Sequence, residues 1–216
     1  TAVQAIQEIA KTAGQLTVFQ RNPNWCVPQH NATISKEEMR DIRVRYPQIL
    51  AVCRTTPSCY IHGPDPRATF EATPEERAAL WERRYAEPGF GLWQGNFRDT
   101  LTDRAANALA SEFIANKIRS RVHDPVVAER LIPKNHGFGT RRPPLENAYY
   151  EVFNQRNAEL VDINETPIER VTAGGIQTSR QEYEFDIIIY GTGFDAITGA
   201  FDRIDIGGEN DVRLKD

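Results

Sequence analysis

The sequence predicts an α/β fold in which a helical insertion separates two β-containing pieces. Three observations carry that expectation. A helical stripe runs straight into a short apolar strand near the start of the chain. Two capping signatures then open helices between residues 35 and 76. Short strands and a Gly-Gly turn return only after residue 134. That order fits one α/β unit interrupted by helices better than it fits two independent domains.

The elements follow in turn. Ala2, Ile6, Ile9 and Ala13 share one 3.6-period stripe, so residues 2–13 read as a helix, with Gly14 placed to cap its C-terminus. Leu16–Gln20 reads as a short buried strand, and a polar, proline-containing stretch follows over 21–33. Ser35-Lys36-Glu37-Glu38 is a capping box that opens a helix through the early forties. Thr73-Pro74-Glu75-Glu76 is a stronger start, with Pro at the first helical position and Pro88-Gly89 as the stop. Ala106, Leu109, Ala110, Phe113, Ile114 and Ile118 mark one face of a longer helix, and Asp124-Pro125 opens a shorter one. Beyond these, residues 149–155 suit one or two helical turns. Residues 159–162, 168–172 and 176–178 suit short strands, and 184–190 a buried one.

Composition excludes several classes. The 216 residues carry 26 basic and 30 acidic side chains, a net charge of -4, with no long run of either sign. A protein that binds nucleic acid by counterion release needs a basic surplus, so that class is set aside. The apolar stretch around 185–190 is strand-length and too short to span a bilayer, so no membrane segment is expected. Cys26, Cys53 and Cys59 lack C-x-x-C spacing and a histidine cluster, which argues against zinc. Reduced thiols in a cytoplasmic protein are the expectation. The N-terminus shows no basic region or cleavage pattern, and the two Asn-x-Thr sequons, at Asn31 and Asn164, read as chance matches.

Three constellations carry chemistry. A helix, the strand Leu16–Gln20 and then Arg21-Asn22 have the layout of a dinucleotide-binding βαβ unit. In such a unit the residue about 20 positions after the Gly-rich turn meets the adenosine ribose. An acid there selects NAD, and a cation pairs with the 2′-phosphate of NADP. Counting back about 20 residues places the phosphate-binding turn at or before Thr1, so the chain is expected to start just past its glycines. The alternative is a solvated arginine at a strand end. The second constellation is Gly137-Phe138-Gly139-Thr140-Arg141-Arg142-Pro143-Pro144. Pro143 biases Arg142 toward extended geometry, where neighbouring side chains diverge and can serve two anions. Two adjacent arginines on a solvated surface are the plainer reading. The third is a β-branched run ending in Tyr190-Gly191-Thr192-Gly193, suited to close backbone approach at a hinge or to a tight turn.

Residues 16–25 (LTVFQRNPNW), 138–150 (FGTRRPPLENAYY) and 186–200 (DIIIYGTGFDAITGA) resemble the Baeyer–Villiger monooxygenases, of the class B flavoprotein monooxygenases. The likeness extends through the helical block, with Trp93-Gln94-Gly95-Asn96-Phe97. The resemblance implies a central fragment of an enzyme that uses FAD and NADPH. Such an enzyme inserts one atom of O2 beside a ketone carbonyl, through a flavin C4a-peroxide, to give an ester or lactone. It also implies a Rossmann-like NADP-binding domain, incomplete at both ends, over 1–33 and 134–193, with the helical insertion over 34–133. Residues 194–216 would return toward an FAD domain, the partner missing from this chain.

By position, the resemblance gives Arg21, Asn22 and Arg141 to the NADP 2′-phosphate. It gives Arg142 the catalytic role, stabilising the peroxide and later oxyanions over the flavin. Thr1, Gln4, Thr192 and Gly193 complete the expected cofactor-binding set. Gly191 stands where the family more often has Ala, and Arg141 where it usually has Lys. Two alternatives stay open: a related flavin enzyme that oxygenates nitrogen or sulfur, and a non-catalytic nucleotide-binding module.

Overall fold

The computed structural model describes residues 2–193 and 198–214. Helix α1 (Ala2–Ile9) leads into β1 (Leu16–Gln20), followed by the two-residue strand β2 (Val27–Pro28). The helical block comprises α2 (Lys36–Val44), α3 (Tyr46–Thr55), α4 (Pro74–Ala86), α5 (Gly91–Gln94), α6 (Arg104–Arg121) and α7 (Pro125–Leu131). Then come β3 (Leu145–Glu146), α8 (Tyr149–Val152), β4 (Ala158–Asp162), β5 (Ile168–Val171), β6 (Gly175–Thr178) and β7 (Glu182–Glu184).

The long-range pairings place the helical block between two halves of one α/β unit. Strand β1 pairs in parallel with β4, Leu16 opposite Ala158 and Gln20 opposite Asp162. Strand β2 pairs in parallel with β3. Strands β5, β6 and β7 form an antiparallel meander. Everything from 21 to 157 therefore lies between two strands that are neighbours in space.

Local chemistry explains the helix starts. Ser35 and Thr73 both close reciprocal capping boxes, with Glu38 and Glu76. Asp103 and Asp124 cap α6 and α7 through their carboxylates. The core gathers Trp25, Cys26, Val27, Leu80, Trp81, Ile114, Ile118, Phe138 and Tyr150 around α6. Of the predicted apolar face of α6, Ala106, Ala110, Ile114 and Ile118 are buried and Leu109 and Phe113 half-buried, with Asn107 and Ala115 buried beside them.

Three expectations need correction. The first helix is regular only over Ala2–Ile9, and its inward face is Val3, Ile6, Gln7 and Ala10. Gly14 is not in the left-handed region. The carbonyls of Ala10 and Ala13 are instead met by Asn157 Nδ2, at 3.2 and 2.9 Å, so a side chain at the start of β4 does the capping. The buried strand expected over 184–190 is absent: β7 ends at Glu184, and Ile187 and Tyr190 are 77% and 71% exposed. No described strand lies beside 186–190, and an unpaired β-branched run has no ladder to join. Finally, α3 follows α2 directly after Arg45, with Pro47 in its first turn. Neither helix buries a residue, so hydrophobic periodicity carries no sign of α3.

One buried ion-pair cluster joins the helical block to the second half of the unit. Arg121, at the end of α6, donates to both oxygens of Glu146 at 2.7 and 3.0 Å and both oxygens of Glu151 at 2.6 and 2.7 Å. Its guanidinium also reaches Tyr85 Oη at 3.1 Å and lies over the Tyr150 ring. The Glu146 side chain is fully buried. Burial opposes the charge on Arg121, and the hydrogen bonds it donates to Glu151 and Glu146 overcome that, raising its pKa further. Arg121→Met leaves the Glu146 carboxylate buried and unpaired, and should cost roughly 3–5 kcal/mol in urea unfolding. Adding Glu146→Gln should restore a large part of that loss. A double variant no more stable than Arg121→Met would show that packing, rather than charge, holds this junction.

Candidate functional site

The carboxyl ends of β1 and β4 open on a cleft of about 580 Å³. Arg21 and Asn22 leave β1 into it, Asp162 and Asn164 leave β4, and Lys134 and Asn135 line its far side. The space beyond the carboxyl ends of parallel strands is where open α/β sheets bind ligands. Charges in the cleft are unevenly compensated. Arg130 pairs with Glu165, and Lys134 with Glu129, each at 2.5 Å. The Arg21 side chain is exposed and makes no hydrogen bond or ion pair among the described residues. Its backbone carbonyl is held by Asn164 Nδ2, so the root is fixed and the guanidinium is available.

The double-arginine segment is anchored from the helical block. Asn107 Nδ2 donates to the carbonyls of Phe138 and Thr100 at 2.8 and 2.9 Å. Phe138 N donates to Ser111 Oγ at 2.9 Å. Trp93 Nε1 donates to Gly139 O at 3.0 Å. Glycine is required at two places: a Cβ on Gly137 would lie 1.7 Å from Asn107 Oδ1, and Gly139 has φ +78° with a Cβ position 2.8 Å from the Trp93 ring. Phe138 is buried edge-on to Trp25. Pro143 is fully buried just beyond the arginines. Arg141 and Arg142 thus project from a segment fixed on both sides.

The two arginines meet different neighbours, as extended geometry at Arg142 predicts. The Arg142 guanidinium lies 5.2 Å from the centroid of the Phe90 ring, itself edge-on to Trp93. Its carbonyl accepts from Asn24 Nδ2 at 3.3 Å. Arg141 acts on His136, whose pKa is lowered by partial burial and then by that cation. His136 bonds to Asn24 and Asn135, so the Arg141 side reaches the surroundings of Asn22.

The remaining expected residues are spread more loosely. Gln4 donates to Leu145 O at 3.2 Å, which ties α1 to β3. Thr192 and Gly193 are exposed, Gly193 has φ +88°, and a Cβ on Gly191 would lie 3.2 Å from that of Ala2. The hinge segment therefore abuts the start of α1. Thr1 lies outside the described residues, as do residues 194–197, which belong to the hinge motif. Sequence reasoning missed Asn107, Ser111 and His136. Asn107 carried a signal, a polar residue among the apolar positions of a long helix, but its distant partner did not.

Among the described residues, no cluster of three His, Cys, Asp or Glu side chains is placed to hold a metal ion. No helix is long and apolar enough to cross a membrane.

The geometry is that of an α/β unit with a cleft at the carboxyl ends of two parallel strands and a fixed pair of arginines. No family model matches the chain. Over 216 residues it is 50% identical to 2-oxo-Δ3-4,5,5-trimethylcyclopentenylacetyl-CoA monooxygenase of Pseudomonas putida, covering 100% of this chain and 40% of that protein. It is 41% identical over 222 residues to cyclopentanone 1,2-monooxygenase of Comamonas sp. (strain NCIMB 9872), with the same coverage. A crystal structure of OTEMO in complex with FAD and NADP superposes with a TM-score of 0.95 at 50% identity, over 99% of this chain and 39% of that one. The matches are to a segment of monooxygenases. The chain is similar over its whole length to Baeyer–Villiger monooxygenases, and spans about 40% of the length of these relatives.

The cysteines differ in a way that labelling can read. Cys26 is buried, and its thiol is pushed up to about 12 by burial and then by the Glu146 carboxylate. Cys59 is exposed. Iodoacetamide at pH 8 should label Cys59 rapidly and leave Cys26 untouched until denaturant is added, as peptide mass spectrometry would show. Rapid native labelling of Cys26 would contradict this packing.

Proposed function

We propose that the chain is the NADP-binding portion of an FAD- and NADPH-dependent Baeyer–Villiger monooxygenase. Residues 1–33 and 134–193 form a Rossmann-like unit, 34–133 its helical insertion, and 194–216 the return toward an FAD domain. The complete enzyme inserts one oxygen atom of O2 beside a ketone carbonyl to give an ester or lactone. Both relatives described above are named for ketones on five-membered rings, which supports a cyclic ketone as substrate.

The carrying observation is Arg21: a cation with no ion pair among the described residues, at the carboxyl end of a parallel strand, on a cleft of about 580 Å³. These residues fit NADP. Arg21 pairs with the 2′-phosphate, a guanidinium being suited to two parallel bonds to phosphate oxygens. Asn22 adds neutral donors, and Arg141 adds a second cation from the Gly-Phe-Gly-Thr segment. Gln4, Thr192 and Gly193 form the end of the site where residues 191–193 meet α1; Thr1, also assigned to the cofactor, lies outside the described residues.

When bound, NADPH supplies the hydride and FAD the redox chemistry that activates O2. Arg142 is this chain's contribution to the chemical step. Its guanidinium is always charged, its root is held by Asn24 and Pro143, and among the described residues it pairs with no carboxylate. A cation so fixed stabilises negative charge that develops on oxygen during the reaction, without reorganising when that charge appears. Phe90 beneath it supports the guanidinium from the helical insertion.

Two variants of the complete enzyme test this reading. Arg21→Ala should weaken NADPH at least tenfold and leave NADH nearly unchanged, since NADH has no 2′-phosphate. Equal losses for both in steady-state kinetics would remove Arg21 from the site. Arg142→Ala should abolish ester formation while NADPH still reduces the flavin in anaerobic stopped-flow measurements. Normal ester yield from that variant would refute its catalytic role.

A further inference from the structure

His136 lies between the two parts of the site, and both edges of its ring are engaged. Nδ1 is 2.7 Å from Asn135 Oδ1, and Nε2 is 3.1 Å from Asn24 Oδ1. Other bonds set how these amides point. Asn24 Nδ2 donates to the carbonyl of Arg142 at 3.3 Å, and Asn135 Nδ2 donates to Asn22 Oδ1 at 3.4 Å. Each ring nitrogen therefore faces an amide oxygen, which only accepts. A neutral imidazole carries one N–H and satisfies one of the two, whereas an imidazolium satisfies both.

Against the second proton stand partial burial and Arg141, the charged side chain whose field acts on the ring. Lys134, two residues earlier, is paired with Glu129. Trp25 meets only the backbone carbonyl of His136, at 3.0 Å. The hydrogen-bond geometry thus favours a proton that the local field opposes. A phosphate placed between Arg21 and Arg141 offsets that field and reverses the balance.

We propose that His136 is a positioning residue that takes up a proton from solvent when a phosphate monoester binds beside Arg21 and Asn22. The charged ring then holds both amides at once. Through Asn135 it keeps Asn22 Oδ1 engaged, which turns the Asn22 NH2 donors toward the phosphate. Through Asn24 it steadies the backbone of Arg142. Phosphate binding and the placement of Arg142 are thereby coupled through one imidazole. This rests on the Arg21 reading given above.

The test is calorimetric titration of the complete enzyme with adenosine 2′,5′-bisphosphate, and with adenosine 5′-monophosphate as the comparison. The titrations are run at pH 7.5 in two buffers of different ionisation enthalpy. A phosphate monoester, with a second pKa of about 6, is already a dianion at that pH and takes up no proton itself. The expected result is net uptake approaching one proton for the bisphosphate. Binding should weaken as pH rises above neutrality, by up to about tenfold per unit. His136→Gln and Asn135→Ala should both remove the uptake, and the second keeps the imidazole in case the first fails to fold. An Arg21-dependent preference for the bisphosphate without proton uptake, or with uptake unchanged in both variants, overturns this inference and leaves the Arg21 site intact. No preference for the bisphosphate over the monophosphate in the unsubstituted enzyme overturns both.

Discussion

The arrangement depends on Arg121 more than on any other residue. A fully buried carboxylate such as Glu146 is tolerable only when its oxygens are satisfied, and Arg121 satisfies them while also holding Glu151. The guanidinium suits this junction because its planar fork serves two carboxylates at once, which a lysine ammonium does not. Its placement matters as much as its strength. Arg121 ends the longest helix, and Glu146 stands four residues after Arg142. The pair therefore fixes the register between the helical block and the segment that carries both candidate arginines. Replacing such a cluster by apolar side chains is often neutral or stabilising in proteins. Its benefit in this chain is geometric.

That geometry is reinforced from the other side. Asn107, Ser111 and Trp93 grip the backbone of residues 138–139, and the two glycines let that backbone approach α5 and α6. The arginine segment is thus held before and after, while the guanidinium tips stay at the surface. A site works best when its reacting groups are exposed and their roots are locked by packing and hydrogen bonds. By contrast, α2 and α3 bury nothing and depend on local chemistry, a capping box and a proline in the first turn. The insertion has one part that positions the arginines and another that stands apart from the core.

What could be read from the sequence divides along the same line. Helix starts at Ser35, Thr73 and Asp124 were legible because capping is decided within four residues. The strand Leu16–Gln20 was legible because apolar β-formers ended at a polar turn. Features set by distant partners were not. The carbonyls at the end of α1 are capped by Asn157, more than 140 residues away, so Gly14 carried a false signal. The run 186–190 has a strand's composition, but composition does not supply the neighbour that a strand requires. Arg21 and Arg142 were legible as charged residues at meaningful positions. Asn107 and His136 were not, since an amide or an imidazole acquires meaning only from what lies across from it.

Charge compensation sets Arg21 apart from the other cations of the cleft. Arg130 and Lys134 face the same space as Arg21, yet each is matched by a glutamate, and Glu129 is also held by Arg119 at 2.7 Å. A phosphate approaching Arg130 or Lys134 must compete with a carboxylate already in place. At Arg21 it displaces only water. Exposed ion pairs contribute little to stability, on the order of 0–1 kcal/mol, so the glutamates are better understood by what they do to the field. They leave two charges of the lining without an ion pair among the described residues, the Arg21 guanidinium at the end of β1 and the Asp162 carboxylate at the end of β4, the latter bonded by Asn164.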